Sequence, residues 1–395
     1  MTSFRLGLAG LLHQKGRTAI SVTGAAFAVL LIFMQLGFLG AVENTATLLY
    51  DKFEFDILIT SSEYIDASRP GVIRRSRLAQ ARAAAPVQDV LPMTLGNANW
   101  RNPTDHPVRG GRLWPIVILG VEPNSLERTF RASDTDLFEN AADRDAKSMA
   151  IRRLETVLMD RRSRPDFGDP IDMPTGTRTE VNDKQIELAG YFSMGTGFSY
   201  TGLLIANEQT LAEMTRRPMN DVTFGLVQLK PGSDVNAARD EIAAILPPDC
   251  QVFTRAQIGA QEREYWVKRT AVGQFFYFGV LLAITVGGIF IYQMMVADIK
   301  KHLPEYATLK SMGYRFGFLF RIVLAQAVFL AVGGYTLGAL ASFGFYEITR
   351  NAAHMPINMT NERLVIVLAL TVFMCVGSGL LAVRKVKSAD PADLF

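Results

Sequence analysis

Four stretches of this chain lack any Asp, Glu, Lys or Arg for roughly 20 residues or more, the length an α-helix needs to cross a ~30 Å hydrocarbon core. They are Thr18–Val42, Thr270–Ala297, Ile322–Tyr346 and Leu364–Val383. A charge at the centre of a spanning helix costs about 2.5–3.5 kcal/mol on insertion scales, so such unbroken runs constrain the fold strongly. The apolar core of the first run is about twice the length of a signal-peptide h-region, and no clean small-x-small site ends it, so it reads as a retained anchor. With 49% hydrophobic residues, the whole chain is too polar to lie entirely in lipid. The expectation is an α-helical membrane protein: four transmembrane helices, with a large α+β extracytoplasmic domain between helices 1 and 2.

Basic residues set the expected orientation. Arg5, Lys15 and Arg17 precede span one; Lys300, Lys301, Lys310, Arg315 and Arg321 crowd between spans two and three; Arg384, Lys385 and Lys387 follow span four. Between spans three and four there is only Arg350, offset by Glu347, with Arg363 at the edge of span four. The positive-inside rule then places both termini and the Lys300 loop in the cytoplasm, and residues 43–269 outside. The expected order is an amphipathic cytoplasmic helix at 1–17, span 18–42, a periplasmic domain with stalk at 43–269, and span 270–297. A cytoplasmic loop at 298–321, span 322–346, a short outer loop at 347–363, span 364–383 and a cytoplasmic tail at 384–395 complete it. In the first of these segments Phe4, Leu8, Leu11 and Leu12 fall on one helical face, as suits a helix lying in the inner interface.

The inserted region shows strand and helix periods in turn. FEFDILIT (Phe53–Thr60) and VTFGLVQL (Val222–Leu229) alternate as strands. The second runs through KPGSD, a turn, into VNAARDEIAAIL, where Val235, Ala238, Ile242 and Ile245 line one side of a helix, and QVFT returns as a strand. This order is an α+β signature. The middle, from about Trp100 to Asn207, reads as β-rich with long loops. Residues 255–273 read as a helix continuing span two, with Tyr265 and Trp266 near the headgroup belt.

No catalytic constellation emerges. The sequence contains neither GxxxxGK[ST] nor GxSxG, so no cofactor is expected on this chain and any ATP would be bound elsewhere. Its four histidines (His13, His106, His302, His354) lack metal-ligand spacing, and Cys250 and Cys375 are too differently placed for a structural disulfide. A net charge of +3 gives no sign of nucleic acid as partner. The spans lack the ionisable residues of a proton or ion relay. Their polar exceptions, Gln35, Gln293 and Gln326, are expected to hydrogen-bond between helices, and Gly334xxxGly338 would permit close packing.

One short segment remains, KKHLPEYATLKSMGY (Lys300–Tyr314), squeezed between spans two and three. Pro304 suits the first turn of a helix, Glu305 its positive end and Gly313 its stop. Tyr306, Leu309 and Met312 form an apolar stripe about three turns long, with Lys310 on the charged side. Such a helix is marginal alone in water and would gain order by docking; otherwise it is a tight connector.

This run resembles the coupling helix of ABC permeases with four spans and a large outer domain, the MacB/LolC/FtsX type. IYQMMVADIKKHLPEYATLKSMGY is similar in particular to the DevC branch, whose pattern is matched by Asp298, His302, Glu305–Lys310 and Met312–Tyr314. VLMDRRSRPDFG (Val157–Gly168), GYFSMGTGFSYTGLLIAN (Gly190–Asn207), REYW at 263–266 and the terminal VRKVKSADPADLF fit the same resemblance, which spans essentially the whole chain. Ser311 departs from the commoner Ala. The resemblance implies a homodimeric permease of a bacterial inner membrane. A separate cytoplasmic ABC ATPase, carrying ATP and Mg, would dock on Pro304, Glu305, Tyr306, Leu309, Lys310, Met312 and Gly313. A periplasmic membrane-fusion adaptor and a TolC-like outer-membrane duct would be its other partners, and a membrane lipid, glycolipid or amphipathic compound its cargo. The alternative is an FtsX-like transducer that regulates a periplasmic cell-wall hydrolase without transporting anything.

Overall fold

The computed structural model describes residues 15–105, 112–131, 137–197, 200–301, 316–353 and 357–387. The chain forms two compact units, one comprising Met1–Ala41 with Thr270–Phe395, the other Val42–Arg269.

In chain order the elements begin with helix α1 (Lys15–Ala46), followed by α2 (Leu48–Lys52), β1 (Ile57–Ser61), β2 (Ile73–Arg74), α3 (Arg75–Ala81) and β3 (Val87–Arg101). Next come β4 (Leu113–Val121), α4 (Leu126–Thr129), α5 (Ala141–Arg152), β5 (Thr156–Asp160), β6 (Arg178–Val181), β7 (Lys184–Phe192) and β8 (Leu203–Asn207). The inserted domain closes with α6 (Glu208–Thr215), β9 (Asp221–Val222), β10 (Phe224–Leu229), α7 (Val235–Ile245), β11 (Cys250–Thr254) and α8 (Arg255–Glu264). Three long helices follow: α9 (Ala271–Lys301), α10 (Phe316–Ala353) and α11 (Asn361–Lys387).

Four helices are long and apolar enough to cross a membrane, over Thr18–Ala46, Ala271–Lys301, Phe320–Asn351 and Asn361–Val383. The chain is an α-helical membrane protein with a large α/β domain between the first and second of them. Each helix runs past its charge-free core, because backbone hydrogen bonding continues where side chains become polar.

The inserted domain is built on a nine-stranded mixed sheet in the order β11-β1-β10-β3-β4-β8-β5-β7-β6. Strand β3 is long enough to pair with β10 at one end and β4 along the other, and its Trp100 also meets Val181 of β6. The last six strands of the order thus close on themselves. Pairing is antiparallel except for β4 with β8 and β5 with β7. The sheet is buried on both faces, so its central strands are near-continuous apolar runs. Along β4, Ile116 and Ile118 enter the core that holds Trp100, Phe167 and Leu188, while Leu119 and Val121 enter the one that holds Tyr50, Phe224 and Leu226. A third core packs α3 and α7 on β1 and β10 through Leu78, Ala238, Ile242, Ile57 and Val227.

Several expectations are refined. FEFDILIT is strand only from Ile57 onward. VTFGLVQL is split at Thr223 into β9 and β10, and Thr223 Oγ1 accepts from the Leu95 amide at 2.9 Å. On α7, Ala238 and Ile242 are buried, but Val235 and Ile245 at its ends are exposed. Asp234 caps that helix, accepting from the Asn236 and Ala237 amides. The β-rich middle also holds a twelve-residue helix, α5, capped by Asn140. Its low apolar content hid it: only Lys147 and Ile151 are buried. The segment after Arg255 is not one regular helix; α8 passes into a π-helical turn at Tyr265–Arg269 before α9 begins.

Candidate functional site

Small residues draw the membrane helices together. A Cβ on Gly334 of α10 would stand 2.6 Å from Ala25 Cβ of α1, and one on Gly338 would stand 2.7 Å from the Ala26 carbonyl. Both glycines are therefore sites of close backbone approach. Polar groups link them as well. The Tyr346 hydroxyl donates to the Phe33 carbonyl, Tyr335 to Leu364 O at 3.1 Å, and Ser378 to Gly288 O at 2.9 Å. The expected pairing of the glutamines is not general. The Gln35 amide packs on Gly279 with its Oε1 unpartnered among the described residues, and Gln293 is exposed; Gln326 alone of the three is buried. Helix α9 leaves an apolar face open, with Phe275, Tyr277, Phe278, Leu281 and Leu282 exposed.

The expected ATPase-docking residues, Pro304, Glu305, Tyr306, Leu309, Lys310, Met312 and Gly313, lie outside the described residues, as does the amphipathic segment with Phe4, Leu8, Leu11 and Leu12. The described basic residues that flank 302–315 are Lys300, Lys301 and Arg321, and all three are exposed.

In the inserted domain the string Val157–Gly168 turns out to fasten structure. Asp160, 1% exposed, ends β5 with its carboxylate accepting from the amides of Arg162 (2.9 Å), Met194 (3.1 Å) and Gly195 (2.7 Å). Burial pushes this carboxyl upward from its ordinary pKa, and the three amides oppose that rise. Just beyond, Phe167 fills the core while Trp100 Nε1 donates to its carbonyl at 2.9 Å and Asn102 Nδ2 to the Asp166 carbonyl at 3.0 Å. Gly168 follows at φ +108°, where a Cβ would also press on Met173 Sδ. The residues that carry the resemblance here hold loops against the sheet.

A second cluster joins α2, the chain after β1, and α8. The Tyr64 hydroxyl donates to Glu262 Oε1 and lies against the Tyr50 hydroxyl, itself 3.4 Å from the same oxygen. Burial, aided by Asp66 and opposed by hydrogen bonds from Tyr64, Tyr50 and Trp266, pushes the Glu262 carboxyl up to about 7. On the same helix, Arg255 lays its guanidinium over the Phe55 ring at 4.0 Å and donates to the carbonyls of Tyr50, Phe53 and Phe55. Sequence reasoning missed both groups. Their members are some 200 positions apart, and only the Tyr–Trp pair after Glu264 hinted that this region was unusual. Among the described residues no group of three His, Cys, Asp or Glu could hold a metal ion, and both cysteines are free.

Residues 277–391 match the family model of the FtsX-like permease C-terminal domain. The match takes in most of α9 and all of α10 and leaves out the first helix and the inserted domain. No curated protein matches the chain. Similar solved structures include the extracellular domain of the noncanonic ABC-type transporter YknZ from Gram-positive bacteria, at 13% identity and TM-score 0.35, covering 51% of this chain and 99% of that one. Another is the periplasmic region of MacB from Actinobacillus actinomycetemcomitans, at 11% identity and TM-score 0.37, covering 54% of this chain and 94% of that one.

Proposed function

We propose that this chain is the permease subunit of a tripartite export system. A separate ATPase docks on residues 304–313 at the inner face, and its ATP-driven motion is passed to the periplasmic domain. That domain works with a membrane-fusion adaptor and a TolC-like duct to export a lipid, glycolipid or amphipathic compound. Two copies form the working unit, with both termini cytoplasmic. The observation that carries the reading is the FtsX-like permease domain at 277–391 enclosing EYATLK between two charge-free spans. The described spans have no ionisable pathway in their cores, which favours substrate handling on the outer side over passage between helices.

The test is co-purification with the cognate ATPase. Glu305→Ala combined with Leu309→Ala should abolish docking while the chain stays folded in detergent. Unaltered docking would remove the role assigned to that segment. Export of an amphiphile that needs the adaptor separates this reading from an FtsX-like regulator, for which a partner hydrolase would respond instead.

A further inference from the structure

Helix α8 is fastened to the rest of the inserted domain at two points that differ in chemistry. At its first residue, Arg255 holds the carbonyls of Tyr50, Phe53 and Phe55 and stacks on the Phe55 ring. The Thr254–Gln257 capping box lies at the same end. Seven residues on, about 10 Å along the axis, Glu262 is 0% exposed and meets the phenols of Tyr64 and Tyr50. A guanidinium keeps its charge in any folded protein, so the first fastening does not titrate. The second does.

The groups around Glu262 come from three directions. Helix α2 contributes the Tyr50 hydroxyl, with Asp51 beside it accepting from Thr47 Oγ1 at 2.8 Å. The chain after β1 contributes Tyr64 and Asp66. Asp66 is fully buried, accepts from the Ser68 amide at 2.8 Å and pairs with Arg69 at 3.2 Å. Arg69 in turn donates to the Tyr265 hydroxyl. From the π turn comes the Trp266 indole. Strands β10 and β11 present the rings of Phe224 and Phe253 to the two phenols. On α8 itself Arg263 and Glu264 are exposed. Among the described residues no Lys or Arg lies within ion-pair reach of the Glu262 carboxylate. A buried carboxylate without a cation is costly to ionise. This one stands three residues before the π-helical turn Tyr265–Arg269, a kind of break in a helix that often marks a functional site.

We propose that Glu262 is a proton-operated latch. Protonated, it holds the last turn of α8 and the π turn against Tyr50 and Tyr64; ionised, it lets them come away while Arg255 keeps the first turn in place. The chain continues from that turn into α9, so the latch sets the stiffness of the link between the domain and its second membrane helix. The inference deepens the export reading and rests on it for one thing, that the latch tunes by outside pH the motion passed to the domain. The carboxyl's pKa is about 7 when latched and returns to the ordinary 4.5 when released. Latching is therefore complete below about pH 4.5, weakens as pH rises above that, and levels off beyond about pH 7.

The experiment is hydrogen exchange of the full chain in nanodiscs, followed by mass spectrometry from pH 5 to 8 and expressed as protection relative to the intrinsic rate at each pH. Amides of residues 262–269 should lose protection about 40-fold between pH 5 and 7 and only about twofold more by pH 8. Their protection should stay well below that of β10, as a local opening requires. Glu262→Gln cannot ionise and should hold the segment equally protected across the series. Tyr64→Phe removes a donor that favours the carboxylate, so the levelling-off should move to higher pH; this variant decides the matter where the first misfolds. Protection at 262–269 equal to that of β10, a pH dependence that survives Glu262→Gln, or a levelling-off unmoved by Tyr64→Phe would each overturn the proposal. A segment indifferent to pH in a chain that still docks its ATPase defeats the latch and leaves the permease reading standing. Local release in a chain that docks no ATPase keeps the latch and sinks that reading.

Discussion

Tyr64 and Glu262 stand 198 positions apart and share a buried hydrogen bond, with the phenol donating to the carboxylate. This bond ties the start of the inserted domain to the helix with which it ends. A carboxyl at that place, in contact with two phenols and with Asp66 nearby, holds its proton far above the pH at which an exposed glutamate loses it.

That gives a pH dependence of defined sign. The folded-state pKa of Glu262, about 7, lies above the ordinary 4.5. The protonated group therefore supports the fold fully below about pH 4.5, and that contribution is lost as pH rises through about 7. It is on the order of 3 kcal/mol at most. Thermal midpoints of the full chain, followed by near-ultraviolet circular dichroism, should fall between pH 5 and 8. Glu262→Gln should flatten the slope over that range. An unchanged slope in the variant would assign the effect elsewhere.

Arg255 should prove the costliest charged residue to lose from the same region. Arg255→Ala removes four hydrogen bonds to backbone carbonyls together with the stack on Phe55. The guanidinium is half-buried, so the expected loss is about 2–3 kcal/mol of domain stability by urea unfolding. Arg255→Lys should recover less than half, because an ammonium cannot reproduce the planar fork.

Asp160→Ala leaves the amides of Arg162, Met194 and Gly195 facing an empty place. A loss of about 2–4 kcal/mol is expected, with faster hydrogen exchange at those three amides as the local signature. Asp160→Asn should cost less, since one oxygen still accepts.

The membrane helices offer an internal control. Gly338→Leu drives a side chain into the Ala26 carbonyl and Val29, whereas a Cβ on Gly344, on the same helix, meets nothing within 4 Å. The first variant should reduce the yield of monodisperse protein in detergent severalfold; the second should not. Equal behaviour would refute close packing of α1 on α10.

Orientation is tested by accessibility. In a chain with Cys250→Ser and Cys375→Ser, a cysteine introduced by Gly232→Cys should react with an impermeant maleimide in intact spheroplasts. One introduced by Lys310→Cys should react only after permeabilisation. The reverse pattern would invert the topology and, with it, the docking site.

The spans, the inserted domain and the helix at 235–245 were legible from the sequence because each is written in local pattern: charge-free length, period-two alternation, or a capped amphipathic stripe. Helix α5 was not, since its buried face consists of Ile151 and the stem of Lys147, too little apolar signal to register. Nor were the clasp of Arg255 on Phe55 and the Tyr64–Glu262 bond. In these the partners come from segments far apart in the chain, and only the sheet order, with β1 between β10 and β11, brings them together. Composition and spacing decide which segments enter lipid or form a strand, because solvent transfer and backbone geometry act on each segment alone. Which polar groups end up buried together is settled by long-range packing, and for that the tertiary structure was required.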